Sequence, residues 1–290
     1  MQTLDSHSQT QASPKAQPPA DWNDIPVVDW TGQALDCSAC PHAALRRQAD
    51  GCAPGRSCMQ DAYARRIDRF FRSHPQLAGQ HLQHPYFEVR AIAARHADVF
   101  ALPALLDDPD ETVRMQLALR LPQRQLSRLR DDPHREVRIR VAHRLADAEL
   151  PTMLRDTDYE VRKTVARRMA PALLTLLMHD TDLQVRCEVA RRLPMPALWR
   201  MASDADPEVR RIVAERLPAP LLDSLARDAD WLVRHTTATR ANRPLLAHLL
   251  QDAEPEVRDA AADRLAQLAA DGDASGVCPL FAAAPEPRHG

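Results

Sequence analysis

A Val-Arg dipeptide returns every 24 residues from Val89-Arg90 to Val257-Arg258, with copies at Val113, Val137, Val161, Val185, Val209 and Val233, each followed by arginine. Eight copies in one phase mean that a single supersecondary unit is stacked on itself. The middle of the chain is then a solenoid whose units bury their apolar faces against their neighbours. Such an architecture excludes most enzyme folds and offers an extended surface for holding something else.

The rest of the register is legible when each repeat is numbered from its valine as position 0. Alanine holds +5 in all eight copies, from Ala94 to Ala262, and leucine holds +13 seven times, from Leu102 to Leu246. Arginine holds +7 from Arg120 to Arg264, with His96 in the first copy, and aspartate holds +19 in seven linkers, from Asp108 to Asp252. At helical pitch, positions 0, +1, +4, +5 and +8 share an arc about 140° wide, the buried face of a helix. Asp110, Asp158, Asp182, Asp206 and Asp230 stand three residues before a repeat valine, where an N-cap belongs. Each repeat is therefore expected to carry an α-helix from about −2 to +8. Prolines such as Pro122, Pro194 and Pro218 then force a turn. Too few residues remain for a second full helix, and the three-residue apolar spacing at +13 and +16 suits a 3₁₀ turn. HEAT, armadillo and TPR units need longer periods, and the Leu-x-Leu strand of an ordinary leucine-rich repeat is missing.

Ahead of the repeats stand Cys37-x2-Cys40-x11-Cys52-x5-Cys58. Four thiolates so grouped suit either an iron–sulfur cube or one tetrahedral zinc. The wide second spacing and the Cys40-Pro41 step favour iron–sulfur over zinc, and disulfides rank last in a reducing compartment. Residues 37–75 hold seven arginines against Asp50, Asp61 and Asp68. That positive surplus suits an anionic cluster as well as it suits a solvated helix. Cys187, on the expected outer face of its helix, and Cys278 in the tail are read as free thiols.

On the 24-residue register and these four cysteines, residues 35–270 resemble the leucine-rich repeat variant proteins with an N-terminal iron–sulfur cluster. The resemblance implies an all-α fold, a right-handed superhelical solenoid of alternating α- and 3₁₀-helices capped by a small cysteine-cluster domain. It also implies a [4Fe-4S] cluster on Cys37, Cys40, Cys52 and Cys58, and bacterial relatives, some among nitrogen-fixation genes. No activity comes with it. The expected organisation is a flexible segment 1–34, an iron–sulfur domain 35–75 with a helix from Met59 to Arg72, the repeats at 76–270 and a tail at 271–290.

Arginine at +1 lies inside the buried arc, so it needs a carboxylate, and aspartate at +19 is the obvious partner. Arginine at +7 lies at the edge of the arc. It is expected to be solvated or salt-bridged, so that losing Arg168 would cost under about 1 kcal/mol. A +7 stripe tracking phosphates is the weaker reading, because the net charge is only −2. His74, His81, His84 and His96 gather near the junction and are taken as surface residues. No catalytic constellation stands out, and the repeats contain no glycine between Gly79 and Gly272 with which to build a phosphate-binding turn.

The expectation is thus a non-enzymatic iron–sulfur protein binding a macromolecular partner, first of all a protein. Phe70, Phe71 and Leu77 would help close the end of the stack. The cluster would be structural or would sense redox state or oxygen. An electron carrier is the alternative, and nucleic-acid binding comes third. No small-molecule substrate is evident. No apolar run approaches the ~18 residues of a membrane span, and Met1-Gln2-Thr3-Leu4-Asp5 opens no signal peptide, so a cytoplasmic location is expected.

Overall fold

The computed structural model describes residues 25–48 and 51–274. The chain divides into two compact units, residues 1–120 and 121–290. In the first unit the cysteine-bearing segment is followed by α1 (Ala64–Ser73), α2 (Phe87–His96) and α3 (Glu111–Arg120). The second carries a short turn of helix, α4 (Gln123–Leu126), then α5 (Arg135–Arg144), α6 (Tyr159–Arg168), α7 (Leu183–Arg192), α8 (Pro207–Arg216), α9 (Trp231–Ala238), α10 (Arg243–Leu249) and α11 (Pro255–Ala274). 3₁₀ segments such as Pro171–Leu177 and Ala197–Ser203 alternate with the helices. Among the described residues β-pairing is limited to isolated bridges at Val28–Ala34, Asp29–Asp61 and Ala53–Ser57. The fold is the all-α repeat solenoid that the 24-residue period predicts.

Most repeat helices run from −2 to +7, one residue short of the expected end, while α9 stops at +5 and α11 runs on to Ala274. Aspartate fixes the start of several: Asp158 Oδ1 accepts from the Glu160 and Val161 amides, and Asp182 and Asp230 do the same for α7 and α9. An N-cap of this kind stabilises a helix by about 1 kcal/mol. The valines at 0 and the leucines at +13 are buried throughout, for example Val161, Leu174, Val185 and Leu198. The buried arc is wider than predicted. Positions +2 and +3 are also enclosed at Ala91, Ile92, Thr164, Cys187 and Ile212, because a helix inside a stack has a neighbour on each flank. Cys187, expected to face outward, is completely buried beneath α8, whose Glu208 and Asp206 act on it electrostatically.

The last unit departs from the α/3₁₀ alternation. Its second segment is a full α-helix, α10, started by Pro244 at N2 under an Asn242 cap, and it packs with the 20-residue α11 as a helical pair. Ala261 replaces Ala262 as the buried small residue here. The helix also continues four residues past the expected start of the tail.

Two boundaries near the N-terminus shift as well. Residues 25–34, assigned to a flexible segment, are bonded in place: Arg66 donates to the carbonyls of Ile25 and Pro26, and Ala62 N–H donates to Val28 O. Residues 1–24 of that segment lie outside the described residues. Helix α1 begins at Ala64 rather than Met59. Asp61 is fully buried in an ion pair with Arg66 at 3.1 Å and accepts the Tyr63 amide, which holds residues 58–63 in turns.

Candidate metal centre

The four cysteines sit on three successive turns. Asp36 Oδ1 accepts from Ser38 N, Ser38 Oγ and Ala39 N, closing the turn between Cys37 and Cys40. A 3₁₀ segment, Ala43–Arg47, carries the chain away from Cys40. Gly51 then passes so close to it that a Cβ would fall 1.6 Å from the Leu45 carbonyl oxygen. Only glycine fits there, and it delivers Cys52. A tight loop follows, with Ala53 N–H donating to Ser57 O and Gly55 at φ 76°, a left-handed conformation natural to glycine. Cys58 closes the set, its amide held by Arg66 O.

All four cysteines line one concavity, together with Leu35, Ala43, Pro54 and Arg46. Cys58 is buried and the other three are partly exposed. Burial pushes the Cys58 thiol up to about 11 and raises Cys52 too, the latter helped by Cys40 and Cys37 and opposed by Arg46. Iron or zinc bound there would have to displace the protons of these thiols. The donor set therefore fits a thiolate-held centre. The Cys40 sulfur already accepts from the His42 amide at 3.4 Å, a contact that stabilises a ligating thiolate. Among the described residues no three His, Cys, Asp or Glu side chains converge tightly enough for a single ion. Cys278 lies outside the described residues.

Behind the cysteines stands a layer that the sequence reading placed on the surface. His74 and His81 are buried with Phe70 and Phe71, and so is His42, which the sequence did not single out. His42 Nε2 and His81 Nε2 are 2.7 Å apart, so one ring donates to the other. Burial lowers both imidazoles, His81 to about 4, and also lowers His84. The correction has a simple cause: the aromatic face of α1 needs flat partners, and a neutral imidazole supplies one. His96 instead bonds Asp68 at 3.1 Å.

The arginine rows separate into two kinds of contact. At +1, guanidinium groups pair with aspartate at +19 in two-point fashion: Arg90–Asp108, Arg138–Asp156, Arg162–Asp180, Arg186–Asp204, Arg210–Asp228 and Arg234–Asp252. The +7 row, expected to be solvated or salt-bridged, includes the ion pair Arg168–Asp147 and otherwise turns mainly onto backbone carbonyls. Arg120 donates to Ala94 O and Ala97 O, Arg144 to Leu121 O, Arg168 to Ala142 O, Arg216 to Ala190 O and Leu193 O, and Arg240 to Ala214 O. Arg192 reaches Ala166 O in the same way. Arg120, Arg168, Arg192, Arg216 and Arg240 thus cap the C-terminal carbonyls of the helix one repeat earlier. The +5 alanine leaves room for them, and the negative helix end favours their charge.

These features define a class, a helical-repeat protein carrying a thiolate-lined pocket at its N-terminal side. A family model described as the LRV protein FeS4 cluster matches residues 27–80, and one described as leucine rich repeat variant matches 87–110 and 207–230. A HEAT-repeat model matches residues 243–271, where the terminal helical pair stands. A solved structure described as a leucine-rich repeat variant with a novel repetitive protein structural motif superposes with a TM-score of 0.76. It is 46% identical and covers 79% of this chain and 98% of its own. The chain belongs to the leucine-rich repeat variant family, and the family's N-terminal domain carries an iron–sulfur cluster. A Rhodobacter capsulatus protein named "Uncharacterized 27.7 kDa protein in nifB 3′ region" is 54% identical over 95 residues, 33% of this chain. The match spans 38% of that relative's length. Among the described residues no helix is long and apolar enough to cross a membrane.

Proposed function

We propose that this is a non-enzymatic protein in which Cys37, Cys40, Cys52 and Cys58 hold a [4Fe-4S] cluster and the repeats present a surface to a macromolecular partner, first of all another protein. The observation that carries the reading is the meeting of four cysteines from three turns around one concavity. A four-iron cube takes a thiolate at each iron corner, whereas zinc would draw four sulfurs to about 2.3 Å from one point. When bound, the cluster supplies a one-electron redox couple sensitive to oxygen. The chain's own residues hold it: Gly51 and Gly55 shape the loops, and the buried Asp61–Arg66 pair fixes the segment behind Cys58.

Electron transfer is the second reading, favoured by the partial exposure of Cys37, Cys40 and Cys52. Nucleic-acid binding through the repeats loses its support, because the +7 guanidinium groups are aimed at helix ends. The name of the Rhodobacter capsulatus relative supports a connection with nitrogen-fixation genes, and a cytoplasmic site of action goes with it. An anaerobic redox titration followed by electron paramagnetic resonance separates the roles. Decay of the cluster on reduction fits a structural or sensing role, and reversible cycling within physiological potentials moves the assignment to electron transfer.

A further inference from the structure

Beside the cysteine pocket lies a second concavity of about 820 Å³ of atom-free space, opening to solvent, with Arg46, Arg56, Arg69 and Arg72 in its wall. Arg46 and Cys52 line both concavities. All four arginines are exposed. They differ from the +1 and +7 arginines of the repeats, whose guanidinium groups are committed to aspartates or to helix carbonyls. No described carboxylate pairs with Arg46 or Arg56. Arg69 has a backbone contact with Arg56 O at 3.2 Å, and Arg72 has Asp68, its neighbour one turn away. No described acidic residue lines the cleft.

We propose that this arginine cleft docks a carboxylate-rich segment of a partner protein against the wall that carries Cys52. The proposal rests on the cluster reading above, which makes that wall worth reaching. Guanidinium forks match carboxylates two points at a time, and converging forks in a concavity select a charged segment over a flat surface. A nucleic acid would need the basic character to continue as a track. The chain as a whole has no basic excess to supply one, with a net charge of −2. Because Arg46 and Cys52 line both concavities, an acidic occupant would lie directly against the wall of the cysteine pocket.

The test uses the anaerobic holoprotein and a fluorescein-labelled oligoglutamate peptide, read by anisotropy. Arg56→Glu/Arg69→Glu should weaken binding about tenfold or more, since reversing close charge pairs costs at least that. A control at exposed repeat positions, Arg124→Glu/Arg128→Glu, should change it less than about twofold. Arg56→Gln, a milder change, should weaken binding in the same direction, so a poorly folded double variant does not end the test. Equal losses in cleft and control variants overturn the proposal. So does a single-stranded oligonucleotide that outcompetes the peptide, or a failure of wild-type protein to bind the peptide at low salt. Iron and sulfide are assayed on every sample. Loss of peptide binding with the cluster retained speaks to the cleft, and a wild-type protein without cluster speaks against the cluster reading instead.

Discussion

Arg162 and Asp180 meet at two points, Nε to Oδ2 at 2.7 Å and Nη2 to Oδ1 at 2.8 Å, while Arg162 Nη1 donates to Asp156 O at 2.8 Å. The guanidinium thereby ties the linker before its helix to the linker after it. The same triple contact recurs at Arg138, Arg186, Arg210 and Arg234. With side-chain exposures of 12% for Arg162 and 6% for Asp180, the pair is largely out of water. Arg162→Ala should cost roughly 3–5 kcal/mol, because it leaves a desolvated carboxylate behind. Removing Asp180 as well should cost less than the sum of the two single losses in a double-mutant cycle. Chemical denaturation gives all four values, and additive losses would show that the two residues act independently.

Arg168 is expected to matter more than its place at the edge of the buried arc suggested. Its Nη1 donates to Ala142 O at 2.9 Å, and its Nη2 reaches Asp147 at 2.6 Å. Arg168→Ala should cost about 1–2 kcal/mol, the worth of a charged hydrogen bond to a helix end in a half-buried place. Arg124→Ala, at an exposed position, serves as the reference and should stay within about 0.5 kcal/mol. Equal midpoints for the two variants would count against the capping role.

Much of this was legible from residues. The period fixed where each helix begins, since Val at 0, Ala at +5 and Asp at −3 each answer to a local rule of burial, small size or capping. The partner of arginine at +1 could be named because aspartate at +19 is the one carboxylate row that runs unbroken through all seven linkers. Arg168 could not be placed in that way, since one acceptor is a backbone carbonyl 26 residues back, with no side-chain signature, and the other, Asp147, belongs to no repeating row. Cys187 and His81 were misjudged because single-helix geometry says nothing of the neighbour that covers the other flank. At the candidate metal centre the grouping of the four cysteines was legible, whereas Gly51 and the His42–His81 pair depend on how the loops close.

The acid limb of stability follows from the same aspartates. For Asp180 and Asp228 burial acts to raise the pKa, but the hydrogen bonds from Arg162 and Arg210, with backbone amides and nearby charge, outweigh it and leave both lowered. Asp252 is lowered too, chiefly by its hydrogen bond from Arg234. A carboxyl more acidic in the folded than in the unfolded chain binds fewer protons when folded. Its contribution is complete above the ordinary carboxylate range near pH 4 and is lost as pH falls through the lower folded value. The denaturation midpoint should therefore fall steeply below about pH 4. Asp180→Asn should lose stability at pH 7 and show a shallower acid limb. An acid limb of unchanged steepness would contradict this.

Cys187→Ser should leave iron content unchanged, since this thiol is enclosed between repeat helices and lies outside the cysteine pocket. Placing a hydroxyl at a fully buried site should nonetheless cost about 1–3 kcal/mol. Iron analysis and a melting curve on the same sample check both halves. Loss of iron with stability retained would make Cys187 a ligand.

The most direct measurement is the iron, labile sulfide and zinc content of anaerobically purified protein, taken beside the four single Cys→Ser variants at positions 37, 40, 52 and 58. The wild-type chain should be brown and carry about four irons and four sulfides. Each variant should lose or degrade that cluster while its repeats keep their helical signal. One tightly bound zinc per chain with no labile sulfide, or full iron retained in any two of the variants, would contradict the assignment.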